Sequence, residues 1–327
     1  MKRYKFEKVW ILVLASTLIL GGAYYYGTVG KTKEKEPEVY SIVLYQNTDN
    51  EWETLMDGIE QAKKDYRLKI RYMTLAEGDT AEEQADIMEQ EALSGVNGII
   101  YAAVDSKGLR EQLQKKHIQV PMISVETGTG EDVNISADNY EMGRELGKKI
   151  LQDMEEDDCE KTVTVVCEFL ERDSVSQRYH GLIDELEESE EHILVNTVKR
   201  QKGDFNLSLF MGTAFPKCGN YVVTLDKFST QETAKAWLSN RKMYEEEDEI
   251  KFYGIGNTAQ TVSDLDGGLL TALVFQNEFN MGYKAVKALL EKEKMGYMEE
   301  DFEIKYKLVT RDTLYEPENE RLLFPNS

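Results

Sequence analysis

The pattern that decides the fold lies in residues 98–126, which read GIIYAAVDSKGLREQLQKKHIQVPMISVE. Two short apolar runs, 98–101 and 121–125, have the length and composition of buried β-strands. Between them, residues 106–116 show the spacing of apolar and polar side chains that is typical of a surface helix. A strand, a helix and a second strand in this order predict two parallel strands joined by a crossover helix.

The same alternation of short apolar runs and helical patterns extends along most of the chain. Strands that alternate with helices indicate parallel sheets covered by helices on both faces. A chain of 327 residues fits two such sheets better than one. The sequence therefore predicts an α/β protein with two Rossmann-like three-layer lobes, which bind ligands at the carboxyl ends of their strands. The further predicted strands are 40–45, 69–73, 162–167, 219–224, 250–254 and 269–275, and the further helices are 51–65, 80–94 and 281–294.

The composition narrows the class of protein and of partner. Hydrophobic residues make up 41% of the chain and aromatic residues 10%, which is enough for sizeable buried cores. The formal net charge of -22 argues against a nucleic-acid partner, because phosphate binding needs clustered Lys and Arg. The Cys and His residues have neither the pattern of a disulfide framework nor metal-ligand spacing, so no cofactor or metal is expected. They are Cys159, Cys167, Cys218, His117, His180 and His192.

The N-terminal segment has the pattern of a membrane anchor. Residues 1–8 are basic, and residues 9–30 contain no charged side chain over a length that can cross a bilayer as a helix. Basic residues before the span place the N-terminus in the cytoplasm, with residues 31–37 as a linker to an external domain. The alternative is a cleaved secretory signal, with Gly21 and Ala23 before the cut. Both interpretations export the rest of the chain.

Several short motifs in a fixed order resemble the type I periplasmic binding proteins, most of all the ribose- and galactose-binding group. The resemblance covers about residues 40–308, and it depends on the collinear order because each motif alone is unspecific. The motifs are NTDNEW at 47–52, MDG at 56–58, GII at 98–100, DS at 105–106, VPMI at 120–123, ADNY at 137–140, Gly143, RYHG at 178–181, Asp226, GIGN at 254–257 and FQ at 275–276.

The resemblance implies two discontinuous lobes, because the family chain crosses three times between its lobes through a three-strand hinge. The first lobe would comprise residues 38–137 and 277–304. The second lobe would comprise residues 138–276 and 305–315, and residues 316–327 would form a C-terminal tail.

The strand ends and the resemblance together point to a sugar site between the lobes. A sugar presents hydroxyl groups around its rim and apolar C–H faces, so its site needs aromatic rings and paired polar groups. Trp52 and Phe205 are the candidate aromatic contacts, although Trp52 can equally be the first core residue of its helix. Asp105 and Asn257 can equally cap the helices that follow them. The candidate polar contacts are Asp49, Asp105, Glu126, Asp226, Asn257 and Gln276.

The sequence departs from the family pattern at several ligand-facing positions. Thr127 and Ser176 stand where the ribose-binding pattern has arginines that bind hydroxyl groups. Leu225 stands in place of a ligand-facing Asn, and Gly256 in place of a ligand-facing Asp. Either the ligand is not ribose, or the correspondence shifts locally around the arginines at 172 and 178.

These observations predict a non-enzymatic extracellular binding protein that presents its closed form to a membrane partner. That partner would be the permease of an ABC-type importer or a sensor histidine kinase. The alternative is an extracellular α/β enzyme acting on carbohydrate or nucleotide, since residues 254–259 fit a dinucleotide fingerprint with Glu278 downstream. A regulator of the lactose-repressor family shares the fold, but it would need a helix-turn-helix domain where the predicted span lies.

Overall fold

The computed structural model describes residues 16–17, 19–21, 38–46, 50–76, 78–155, 161–189, 192–199, 220–240, 250–296 and 302–323. The chain divides into two units, Met1–Glu38 and Val39–Ser327. In the first unit, residues 16–17 and 19–21 are helical and exposed. Most of the predicted span 9–30 lies outside the described residues. Within the described ranges, no helix has both the length and the apolar character that a membrane crossing requires.

The second unit alternates strands and helices, as the sequence pattern predicts. In chain order its elements are β1 (Val39–Tyr45), α1 (Glu53–Tyr66), β2 (Lys69–Leu75), α2 (Ala81–Leu93), β3 (Gly98–Tyr101), α3 (Ser106–Leu113), β4 (Met122–Val125), β5 (Asn134–Ile135), α4 (Asn139–Met154), β6 (Thr162–Cys167), α5 (Asp173–Glu188), β7 (Leu194–Lys199), β8 (Asn220–Thr224), α6 (Lys227–Asn240), β9 (Lys251–Ile255), α7 (Ala259–Asp266), β10 (Ala272–Gln276), α8 (Glu278–Met295), β11 (Tyr306–Thr310) and α9 (Pro317–Leu323).

Two sheets organise these elements into two lobes. The first sheet has five parallel strands in the order β2-β1-β3-β4-β5, and the second has the order β11-β10-β9-β8-β6-β7. All pairings in the second sheet are parallel except that of β10 with β11, which is antiparallel. We call the first sheet and its helices the first lobe, and the second sheet and its helices the second lobe. The prediction of two α/β lobes with parallel sheets is confirmed.

The central strands are buried on both faces, which explains why their sequences are almost continuously apolar. Every residue of β6 and of β10 is buried. Cys167 at the end of β6 is 1% exposed, so it is a small core residue as expected. Thr80 and Glu83 form a capping box that starts α2, and Asn277 caps α8. Caps of this kind fix the residue at which each helix begins after the preceding strand.

The chain passes between the lobes three times. It leaves β5 of the first sheet for α4, whose contacts are with α5 and with β9, β10 and β11 of the second lobe. It leaves β10 of the second sheet for α8, which packs on α1, β3 and β4, and then returns to β11. The second and third crossings are joined by a hydrogen bond of 2.9 Å from Asn277 N to Lys305 O. The residue boundaries of the two predicted lobes stay predictions.

Glycines set the closest helix–helix approach in each lobe. A Cβ on Gly143 of α4 would lie 2.0 Å from the carbonyl oxygen of Arg178 on α5, and one on Gly181 would lie 2.0 Å from that of Tyr140. In the first lobe, a Cβ on Gly58 of α1 would lie 2.0 Å from the carbonyl oxygen of Phe279 on α8. Both contacts lie near the helix ends that face the other lobe. They therefore hold cleft-lining segments in place.

The Gly143→Ala substitution should destabilise the fold, because the added methyl group meets rigid backbone. Overpacking of this kind costs on the order of 1–3 kcal/mol. Gly147→Ala is the matched control on the same helix, since its Cβ would meet side-chain atoms of Glu185 at 2.8 and 2.9 Å and backbone no nearer than 3.5 Å. Urea unfolding should show a clearly larger loss for Gly143→Ala. Equal losses would contradict the assignment of backbone contact at Gly143.

Candidate functional site

A small cavity lies between the two lobes at the carboxyl ends of their strands. Its free space is about 30 Å³, enough for roughly two water molecules. Buried charged side chains from both lobes fill most of the space around it. The lining includes Tyr45, Trp52 and Glu126 from the first lobe and Arg172, Arg178 and Asp226 from the second.

Glu126 is the central acidic group of the cavity. It directly follows β4, its backbone has a φ of 61°, and its N–H donates to the carbonyl oxygen of Ile135 at 3.2 Å. This left-handed turn is uncommon for a residue other than glycine. One carboxylate oxygen accepts a hydrogen bond from Arg178 Nη2, and the other accepts one from Gln276 Nε2. Glu126 thus joins the first lobe to two different elements of the second lobe.

Arg178 supplies the positive partner of this pair. Its side chain, on α5, is 2% exposed, and its Nη1 donates to the carbonyl oxygen of Leu225 at 3.1 Å. Its Nε is buried with no hydrogen-bond partner among the described residues. A buried ion pair is tolerated only when hydrogen bonds satisfy the groups around it. The unpartnered Nε is therefore a donor available to a molecule in the cavity.

Gln276 connects the cavity to a crossing between the lobes. It is the last residue of β10 and is 6% exposed. Its Oε1 accepts a hydrogen bond of 3.3 Å from the backbone N–H of Ala137, which lies between β5 and α4. One side chain therefore contacts Glu126 and the hinge at the same time.

Aromatic rings hold Arg172 at the other side of the cavity. Its guanidinium carbon lies 3.6 Å from the ring centre of Tyr45 and 3.8 Å from that of Phe169. The guanidinium group therefore lies between two aromatic rings, one from each lobe. The ring of Trp52 meets that of Tyr45 edge-on at 5.0 Å, and the indole N–H donates to the Tyr45 carbonyl oxygen. Trp52 thus packs against the core and also lines the cavity.

A second ion pair crosses the cleft at Lys227. Its Nζ lies 2.5 Å from Glu278 Oε1 and donates to the carbonyl oxygen of Glu51 at 2.7 Å. Burial raises the pKa of Glu278 above its ordinary value, and the nearby Lys227 opposes this shift. Burial likewise raises the pKa of Asp226, whose carboxylate accepts from the N–H and the hydroxyl group of Ser229 at 2.8 and 2.6 Å.

The lobes also touch at the rim of the cleft. The hydroxyl group of Ser106, the first residue of α3, accepts a hydrogen bond of 2.9 Å from the Asp173 N–H. The Ser106 N–H donates to the carbonyl oxygen of Glu171 at 3.0 Å. These contacts enclose the cavity on the side of α3 and α5.

The structure brings together most of the predicted site residues. Trp52, Glu126, Asp226, Asn257 and Gln276 all line the cavity. Asp105 does not line it. Its side chain caps α3 by accepting from the Gly108 N–H at 2.8 Å, as its alternative interpretation predicts. The ligand-binding roles of all these residues stay predictions.

Two predicted residues cannot be placed. Asp49 and Phe205 lie outside the described residues.

Arg172 and Arg178, the two arginines around which the sequence leaves the family correspondence open, both line the cavity. Their position agrees with a local shift of that correspondence, and the identity of the ligand stays a prediction. The sequence signal for Arg178 is its place in the RYHG motif, which also contains Gly181. Lys227 carried no motif, and Glu278 was considered only as part of a dinucleotide site. In the structure Glu278 pairs with Lys227 instead.

The Arg178→Met substitution should destabilise the protein strongly, because it leaves Glu126 buried without its cation. Loss of one partner from a buried pair costs about 3–5 kcal/mol. Arg144→Met is the matched control, since Arg144 on α4 is 24% exposed and pairs with Glu185 and Glu188. Such surface pairs contribute about 0–1 kcal/mol. Similar unfolding midpoints in urea for the two variants would contradict a structural role for the Arg178–Glu126 pair.

Replacing Glu278 by Gln should change how stability depends on pH. Because the pKa of Glu278 is raised above 4.5, its proton binds the folded chain more tightly than the unfolded chain. This contribution is complete below pH 4.5 and is lost as the pH rises through the raised pKa. As the pH rises from 4.5 through the raised pKa, the free energy of unfolding of the wild type should fall more than that of Glu278→Gln. A constant difference in stability between the two proteins does not affect this comparison.

Urea unfolding at a series of pH values measures this difference. Glu83→Gln is the control, because hydrogen bonds from Thr80 lower the pKa of Glu83 and its effect should have the opposite sign. Parallel curves for Glu278→Gln and the wild type would contradict the proposed titration.

Comparisons with known proteins agree with this architecture. The sequence model of a family described as a periplasmic binding protein domain matches residues 40–295. No curated protein sequence matches the chain. A carbohydrate transporter solute-binding protein from Agrobacterium radiobacter, solved in complex with D-arabinose, is 21% identical. That match covers 89% of this chain and 100% of the other, with a TM-score of 0.77.

Two further solved structures share the fold. GanP, a glucose-galactose binding protein from Geobacillus stearothermophilus, is 19% identical over 86% of this chain and 100% of its own, with a TM-score of 0.71. A chain of the XylFII-LytSN complex is 17% identical over 84% and 99%, with a TM-score of 0.68. Because the family model spans well over half of its residues, the chain belongs to the periplasmic binding protein family.

Proposed function

We propose that the chain is an extracellular solute-binding protein that closes its two lobes around a sugar or sugar-like molecule. The observation that carries this proposal is the convergence of buried polar groups from both lobes on one cavity, with Glu126 as their centre. A ligand that contacts both lobes at once favours the closed arrangement over the open one. The lobes must open to admit it, since ligand pockets typically measure about 300–1,000 Å³.

The chemistry of the lining supports a sugar as the ligand. The rings of Tyr45 and Trp52 offer apolar faces, and the cavity also contains buried polar atoms without partners among the described residues. These atoms are Arg178 Nε and Ser174 Oγ. The first donates and the second can donate or accept, which suits hydroxyl groups because a hydroxyl does both.

The charges in the cavity favour a neutral ligand. Arg178 is paired with Glu126, and Lys227 is paired with Glu278. Arg172, Asp226 and Glu51 add further charges of both signs to the lining, so a ligand with a net charge would face like as well as unlike charges in a desolvated site, which is costly. Three of the solved structures that resemble this chain contain neutral sugars, D-arabinose in two of them and α-D-tagatopyranose in the third.

The N-terminal segment determines the proposed location and partner. We propose that residues 9–30 anchor the chain in the cell membrane, with residues 1–8 in the cytoplasm and the two lobes outside. The closed lobes would then be recognised by an importer permease or by a sensor histidine kinase. A retained anchor favours the sensor, because it keeps the binding domain beside a membrane-bound partner.

A thermal-shift screen of the two-lobe domain from residue 38 onward tests the proposed function. Neutral sugars, polyols and nucleosides are compared with the corresponding sugar acids. A ligand at a hundred times its Kd should stabilise the fold by about 2.7 kcal/mol, which raises the melting temperature measurably. Gln276→Ala and Trp52→Ala should abolish the shift. Asp105→Asn should keep it, because Asp105 caps α3 outside the cavity.

Each outcome of the screen has a distinct meaning. A shift caused by neutral sugars and lost in the two cavity variants supports the proposal. A shift that survives both substitutions would place the ligand elsewhere. The absence of any shift across the library would remove sugars from the proposal.

A further inference from the structure

We propose that Lys227 is an intramolecular competitor of the ligand: its ammonium group links the two lobes inside the cleft, and a ligand has to displace it. This inference rests on the proposed function, since it concerns the same cavity. It assigns to Lys227 the role of a specificity-determining residue, because only a molecule that can satisfy the partners of its ammonium group can replace it.

The position of Lys227 makes it a link between the lobes. It is the first residue of α6 in the second lobe. Glu51 and Glu278, whose oxygens it contacts, both belong to the first lobe, since Glu51 lies two residues before α1 and Glu278 is the first residue of α8. The side chains of Lys227 and Glu278 are 13% and 4% exposed. Water therefore weakens this pair far less than it weakens a pair at the surface.

The packing of α1 against α8 builds the place that the ammonium group occupies. The close contacts of Gly58 with Phe279 and of Gly282 with Leu55 bring the first turns of these two helices together. The Glu51 carbonyl oxygen and the Glu278 carboxylate consequently face the same point. The acceptor pair is thus part of the first lobe and does not depend on Lys227 for its position.

The stem of Lys227 runs through space that Gly256 leaves open. A Cβ built on Gly256 would lie 3.4 Å from Lys227 Cγ, so the lysine stem lies directly beside this position. Gly256 also has a φ of 147°, a conformation that other residues rarely adopt. The position where the family resemblance implies a ligand-facing Asp therefore accommodates the stem of an internal cation. Together with the small free volume, this indicates that Lys227 takes up room inside the ligand cleft.

The partners of the ammonium group define what can replace it. Glu278 Oε1 and the Glu51 carbonyl oxygen are both acceptors, and the Glu278 carboxylate also interacts with the Asn257 side chain. A ligand group that takes this place must donate hydrogen bonds, as hydroxyl groups and protonated amines do. Carboxylate and phosphate groups would face Glu278 with like charge. The raised pKa of Glu278 lessens the cost of losing Lys227, because the carboxyl group can take up a proton.

Small-angle scattering in the absence of any added sugar tests the link between the lobes. Lys227→Met keeps the stem and removes the ammonium group, and Glu278→Gln removes the same pair from the other lobe. Both should increase the radius of gyration relative to the wild type. Lys235→Met is the matched control, because Lys235 lies on the same helix with its side chain 65% exposed. An unchanged radius in both Lys227→Met and Glu278→Gln overturns the proposal.

Calorimetric titration with D-arabinose tests the competition itself. Removing the competitor should tighten binding to Lys227→Met by about tenfold or more, given that a hydrogen bond to a charged group contributes about 1.5–3 kcal/mol. Weaker binding than in the wild type would show that Lys227 is a ligand contact, which overturns the proposal. If D-arabinose binds neither protein, the choice of sugar in the proposed function fails, whereas the scattering result still decides the role of Lys227.

Discussion

The buried contact of Glu126 with Arg178 and Gln276 is the interaction on which the arrangement of the two lobes depends. It joins the end of β4 in the first lobe to α5 and β10 in the second, and Gln276 extends it to the Ala137 N–H in the hinge. Charges inside a protein are stable only when partners replace the lost water. Any separation of the lobes therefore breaks these bonds unless water or a ligand takes their place.

Helix packing away from the cavity determines where those groups lie. In the second lobe, Gly143 approaches the backbone of Arg178 itself, so the distance between α4 and α5 fixes the origin of the arginine side chain. In the first lobe, Gly58 plays the same part for the segments that carry Glu51 and Glu278. Both glycines belong to motifs that carry the family resemblance, and their role in this chain is close backbone contact. These shared motifs therefore indicate a shared framework of helix packing, and they do not identify the ligand.

The fold could be predicted from the sequence because strands buried on both faces leave a strong apolar pattern. Short or half-exposed strands leave a weak one, so β5, β7 and the antiparallel β11 were not predicted. The site was predictable where a residue ends a strand, as Glu126 and Gln276 do. Arg172, Arg178 and Lys227 reach the cavity from within helices or just before them, through long side chains. Their position depends on tertiary packing, which spacing along the sequence does not reveal.

Gly256 and Lys227 show how a missing side chain can have a structural consequence elsewhere. Compared with the family pattern, Gly256 is the loss of an acidic group at the cleft. In the folded chain, the space next to it holds the stem of Lys227, whose ammonium group bonds the opposite lobe. Lys227 and Glu278 bring one positive and one negative charge to the cleft, and each stabilises the other. The specificity of the cleft therefore follows from a set of mutually dependent charges, and substituting a single member alters the electrostatic balance of all the others.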